Sequence, residues 1–150
     1  MGNLFDSPDR DSILGRIAKL RPDSPRQWGR MQCAQMLAHC TAALEAGTGD
    51  KPRKQVWIGK IVSPFVRRGL LSDRKPFPRN SPTDPAFVVS TEKDLEIERL
   101  RLTELIHRFC ELGRDNAGRQ THSFFGRMSG DEWGFTMYKH LDHHLRQFGA

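Results

Sequence analysis

The chain has 150 residues, 28% charged and 37% hydrophobic, with 24 Lys and Arg against 18 Asp and Glu and a formal net charge of +6. That length is enough for one domain with a real core, and no apolar run approaches the roughly 20 residues of a membrane span. The start, MGNLFDSPDRD, lacks the basic beginning and apolar centre of a secretory signal, so the expectation is a single-domain, soluble, cytoplasmic protein. Cys33, Cys40 and Cys110 form no C-x-x-C pair, and an odd number argues against a disulfide framework. They read as buried, reduced thiols.

Ser7 followed by Pro8 reads as an N-cap with proline at the first helical position. Ile13, Leu14, Ile17 and Leu20 then recur at helical spacing, which predicts a first helix over about 7–20. Arg21-Pro22-Asp23-Ser24-Pro25 breaks it. A second helix begins near Met31 or Gln32, runs to Ala46 and is ended by Gly47-Thr48-Gly49. Its stripe is Met36, Cys40, Ala43 and Leu44, with His39 at the edge.

Between positions 51 and 79 there are nine Lys or Arg and one acid, Asp73. Nucleic acid is one reading of that charge. No helix-turn-helix, zinc finger or aromatic-studded motif accompanies it, so a solvated loop or an anionic small substrate is preferred. Trp57, Ile61, Phe65 and Leu70 in the same stretch predict one broken helix over about 54–71, with Pro64 as kink or break. Such a segment could lie on a membrane; a cover over the core, burying those apolar residues, is the preferred reading. KPFPRNSPTDP follows as an extended connection, and 86–89 as an extended piece. Thr91 is the expected cap of the third long helix, whose stripe is Leu95, Leu102, Leu105, Ile106, Phe109 and Leu112. Gly113 is its expected end, followed by a polar loop, RDNAGRQ; His107 falls off the stripe, on the surface.

The last helix spans 129–149, with Ser129 and Glu132 as a capping box. Three of the six histidines are here. At roughly 100° per residue, His140 and His144 lie about 40° apart, in the sector of Trp133, Met137, Leu141 and Phe148. Lys139, Asp142 and Arg146 point the other way. Buried imidazoles need partners. A divalent metal supplies one for both rings; hydrogen-bonded core histidines, or a rotated helix with wet ones, are the alternatives. Leu141 follows His140, so there is no H-E-x-x-H. Four long helices without a convincing sheet make an all-α bundle, with a long, partly helical crossover between helices two and three.

The segment W-G-R-M-Q-C-A-Q-M-L-A-H-C at 28–40, with Y-K-H-L-D-H-H-L-R-Q-F-G at 138–149, resembles the DinB/YfiT-like superfamily. K-P-F-P-R-N-S-P-T and H-S-F-F-G-R-M-S are similar to a bacterial branch of it known as a domain of unknown function. The resemblance implies a four-helix bundle whose metal site takes one histidine from the second helix and two from the last. Those positions are His39, His140 and His144 here; His143 points to a different side. Superfamily members include thiol-dependent S-transferases, a mycothiol-dependent isomerase and hydrolases, so the resemblance implies a metal-dependent thiol transferase or hydrolase. A non-enzymatic metal-stabilised protein, or an anion- or nucleic-acid-binding module, is the alternative.

Zinc and nickel both suit imidazole, and a low-molecular-weight thiol would be the cosubstrate of S-transfer. The substrate would be a small anionic or electrophilic molecule, and a homodimer fits the same reading. No carboxylate is placed as an obvious base: Glu45 lies about one and a half turns past His39, and Asp142 lies opposite the pair. His122 is the best free acid–base residue, with a loop-anchoring hydrogen bond as its alternative. Gln147, near the His144 sector, could orient a ligand.

Overall fold

Five α-helices carry the described chain: α1 (Ser7–Lys19), α2 (Cys33–Thr48), α3 (Trp57–Leu70), α4 (Leu95–Arg119) and α5 (Gly130–Gln147). The computed structural model describes residues 2–71, 77–81 and 83–150, apart from the side chains of Val66, Arg68 and Leu70. The expectations for Pro76 and Pro82 in the proline-rich run, and for Leu70 in the cover, therefore fall outside the described residues. The only sheet among them is a hairpin, β1 (Thr121–His122) against β2 (Gly126–Arg127), with His122 opposite Gly126. The chain is the all-α bundle its periodicity predicts.

The core is where the helical stripes meet. Met36, Leu37, Cys40 and Leu44 of α2 pack with Leu102, Ile106 and Phe109 of α4 and with Trp133, Leu141 and Leu145 of α5. Ile13 and Ile17 of α1 close one side, and Leu4, fully buried, ties the N-terminal arm to α5 through its N–H to the Gly134 carbonyl at 3.1 Å. Gly47 lets α2 approach closely: a Cβ there would lie 2.9 Å from Phe109 and 3.2 Å from Trp133. Cys33 and Cys40 are buried, Cys110 is half-buried, and all three are free thiols, as expected. His107 is exposed, also as expected.

Several boundaries differ from the sequence reading. Asp6, not Ser7, precedes the first turn of α1, which moves Pro8 one position inward. Gln32 and Gln35 form a reciprocal capping box on α2, which runs through Gly47 to Thr48 and stops at Gly49 in the left-handed region. Asp94 rather than Thr91 caps α4, its carboxylate accepting the Ile97 N–H at 3.0 Å. Gly113, at φ 78° and ψ 176°, leaves the helical region, so the first run of α4 ends there as expected; the expected polar loop is instead a second helical run to Arg119, held by buried Ala117 and by the Asn116 amide on the Thr48 carbonyl. The 86–89 segment begins as a 3-10 turn (Pro85–Phe87), because the Asp84 carboxylate accepts the Ala86 N–H. α3 starts at Trp57, not 54, and contains Pro64 instead of breaking there. Its Trp57, Ile61 and Phe65 are exposed, so the helix does not bury them over the core as the cover reading required.

Candidate metal centre

The α5 cap that sequence chemistry predicts is present. Ser129 Oγ accepts the Glu132 N–H at 3.1 Å, and the Glu132 carboxylate accepts the Ser129 N–H at 2.8 Å. This fixes where α5 starts, and its 3.6-residue period then carries His140 and His144 to the face that meets α2. His39 faces them from the middle of α2. His39 and His144 are 4% and 9% exposed, and His140 is half-buried. One nitrogen from each ring lies within 4.8 Å of the others, and the ring centroids are 4.7 to 5.0 Å apart. The three rings are a group that could hold a metal ion.

Hydrogen bonds on the far sides of the rings set the tautomers. His39 Nδ1 is 2.8 Å from the Phe87 carbonyl, which only accepts, so Nδ1 carries the proton and Nε2 offers a lone pair. Gln147 donates its amide N–H to the Trp28 carbonyl at 2.8 Å, which turns its Oε1 toward His144 Nδ1 at 2.9 Å. His144 therefore donates from Nδ1 and also frees Nε2. This is the orienting role that its position suggested for Gln147. His140 Nε2 lies 3.1 Å from His39 Nε2. Two lone pairs would repel at that distance, so without an ion His140 donates Nε2–H to His39.

The rings are held neutral. Burial depresses the pKa of His39, partly offset by the Phe87 bond. It depresses His140 further, helped by His144 and His39, and brings His144 to about 3. Neutral imidazole is the form that binds metal. The donor chemistry suits a divalent ion: two imidazole nitrogens on one zinc, each at about 2.0–2.1 Å, sit roughly 3–3.4 Å apart; the His39–His140 spacing of 3.1 Å falls in that range, and all three nitrogens lie within 4.8 Å of one another.

His143 turns aside, its ring 5.4 Å from Trp28 and 6.3 Å from Phe77. Lys139 does not point to solvent as the helical wheel suggested. It is buried, with its ammonium over the Phe77 and Phe135 rings at 5.0 and 5.4 Å. The reason is the crossover, which passes over this side of α5 and gives the aliphatic stem something to pack on. Asp142 is on the outer side as expected, paired with Arg16 and Arg146. Glu45 pairs with Lys51.

His122 Nδ1 accepts the N–H groups of Phe124 and Phe125, both at 3.1 Å, and so anchors the hairpin turn. Its ring stacks near Trp133 and Phe125. Burial lowers its pKa to about 4, with Asp84 pulling up and Arg67 pushing down. On α5, Trp133 Nε1 and Thr136 Oγ1 are buried without a hydrogen-bond partner among the described residues.

Sequence reasoning missed the Phe87 carbonyl, the Trp28 carbonyl and the Asp84–Arg53 pair at 2.8 Å. Backbone carbonyls leave no residue-type signal. Trp28 was visible only as part of the W-G-R-M segment.

Fold and site together define an all-α protein with a three-histidine group between its second and last helices. The chain belongs to the family described as protein of unknown function (DUF1569), whose family model matches residues 4–150. No curated protein and no solved structure matches the chain significantly.

Proposed function

We propose that this chain is a divalent-metal-dependent enzyme of the DinB/YfiT-like kind, a single domain that uses His39, His140 and His144 to hold zinc or nickel. The observation that carries the reading is the pair of pre-set Nε2 lone pairs on His39 and His144, each fixed by a bond at the other nitrogen. A bound ion would keep its full charge among three neutral ligands and lower the pKa of a water or thiol at an open position. That chemistry serves thiol-dependent S-transfer and hydrolysis alike. The chain's own part is to orient the rings through Phe87 and Gln147 and to exclude water through burial. His122 is a weaker candidate for proton transfer, because Nδ1 is committed to the hairpin and only Nε2 remains.

The test is metal analysis of tag-free protein, with His39→Ala, His140→Ala, His144→Ala and His143→Ala beside it. The first three should lose metal and His143→Ala should keep it; equal loss in all four would sink the assignment. A screen of thiols with electrophiles then follows. The burial of His39 and His144 favours a second reading, a metal held for structure alone. Cobalt-substituted protein separates the two. A thiolate charge-transfer band on adding a small thiol means an open position and supports the enzyme; an unchanged spectrum supports the structural metal.

A further inference from the structure

The rotation of α3 is fixed by its inner ridge. A Cβ on Gly59 would lie 2.5 Å from the Phe124 carbonyl, so only glycine permits the approach. Ser63, one turn on, is buried. Arg67, a further turn on, reaches both Glu132 oxygens at 2.9 Å. Just ahead of the helix, the Val56 N–H and the Gln55 amide bond the Ser123 and Phe124 carbonyls at 2.8 and 2.9 Å. The small residues thus face inward. About 200° round the helix, the large apolar residues face out: Trp57 is 73% exposed, Ile61 59%, Phe65 84% and Ile58 49%. Four bulky apolar side chains on one exposed helix face mark an interaction site. Lys54 and Lys60 are exposed beside them and form no ion pair among the described residues.

We propose that this face of α3 docks on an anionic phospholipid bilayer. The helix lies flat, with Trp57, Ile58, Ile61 and Phe65 at the boundary between headgroups and acyl chains. Aromatic and aliphatic residues on one face, flanked by lysine, are the composition of an interfacial helix. The lysine stems let the ammonium groups reach lipid phosphates while their methylenes stay with the apolar residues. The exposed charge beside the apolar residues, Lys54 and Lys60, draws the face to an anionic leaflet. A second copy of the chain is the competing occupant of the apolar face, and the oligomeric state tests it. Nucleic acid would use the lysines but leave Ile61 and Phe65 without a partner. No helix among the described residues is long and apolar enough to cross a membrane, so the association is peripheral.

The experiment is co-sedimentation of the full chain with vesicles of phosphatidylglycerol and phosphatidylcholine, and with vesicles of phosphatidylcholine alone, at low and moderate salt. The variants are Trp57→Ser/Phe65→Ser and Lys54→Glu/Lys60→Glu, with Ile58→Ser/Ile61→Ser as a second apolar pair should the first fail to fold. Sedimentation velocity without lipid gives the oligomeric state, and a duplex DNA titration runs in parallel. The expected result is a monomer that binds the anionic vesicles, at least tenfold more weakly in each folded double variant and on phosphatidylcholine alone. The proposal falls if the wild type ignores anionic vesicles or if folded apolar variants bind them equally well. It also falls if the wild type is a dimer that the apolar pair dissociates, or if duplex DNA binds more tightly than the vesicles.

Discussion

The titration of His122 has a definite sign. Its folded pKa, about 4, lies below the ordinary 6.5 because burial disfavours the cation; Asp84 opposes this and Arg67 reinforces it, with Trp133 and Phe125 as the apolar walls. The unfolded chain therefore binds the extra proton first. The stability that His122 contributes is whole above pH 6.5 and is lost as pH falls toward 4, by at most about 3 kcal/mol. In His122→Asn the amide oxygen can still accept a hairpin N–H but does not titrate. Urea unfolding of wild type and variant at pH 7 and pH 4.5 should converge at the lower pH; parallel profiles would refute the assignment. Thr136 makes a separate case. Thr41 and Thr48 bond back to carbonyls of α2 at 3.0 and 3.1 Å, whereas the buried Thr136 hydroxyl has no partner among the described residues. An unpaired buried hydroxyl costs about 1–3 kcal/mol. Thr136→Val should therefore raise stability by about 1 kcal/mol in urea unfolding, and a loss instead would mean that the hydroxyl has a partner.

Glycine substitutions test the elements, because two forces compete. Alanine in a helix interior gains about 1 kcal/mol over glycine, and overpacking a core costs about 1–3 kcal/mol. A Cβ on Gly15 in α1 would point into open space among the described residues, so Gly15→Ala should stabilise by about 1 kcal/mol. At Gly47 the added carbon meets Phe109 and Trp133, both fully buried and unable to give way, so Gly47→Ala should destabilise by about 1 kcal/mol. Thermal melts of the pair should shift in opposite directions, and a gain at both would mean that α2 and α5 pack more loosely than described. The same competition explains what the sequence made legible. Ser129 and Glu132 mark the α5 start through local bonds alone, and the period of α5 then carries His140 and His144 inward. Gly47 looked like a terminator because its reason is tertiary, a close approach to α4 and α5. Lys139 looked exposed because nothing local announces Phe77 above it. α3 looked like a cover because its apolar count was read correctly and its facing was not. Gly59 and Ser63 fix that facing, and their meaning depends on the hairpin they touch.

At the scale of the molecule, the histidine group joins parts of the chain far apart in sequence: His39 and His140 are 101 positions apart, and His39 also holds the Phe87 carbonyl in the crossover. An ion there would cross-link α2 to α5 in the folded state, and the unfolded chain has no preformed site. Binding must first displace the His140-to-His39 hydrogen bond, a modest cost of about 1 kcal/mol. The net gain follows mass action: free metal at 100 times Kd stabilises by about 2.7 kcal/mol, less whatever binds unfolded cysteine and histidine. For a chain of this size that is a rise in Tm of roughly 5–10 °C. Chelator-treated protein should therefore melt lower than protein with added zinc or nickel. His143→Ala should keep the shift, because that ring packs on Trp28 and Phe77 and is not one of the three whose nitrogens converge. His39→Ala should lose it, and Gln147→Leu should lose part of it, because His144 then keeps its ring but not the bond that fixes its tautomer. Differential scanning calorimetry of the four proteins, with and without metal, reads all of this at once. A metal-dependent shift of equal size in His39→Ala would place the ion elsewhere, and no shift in the wild type with either metal would remove the centre altogether.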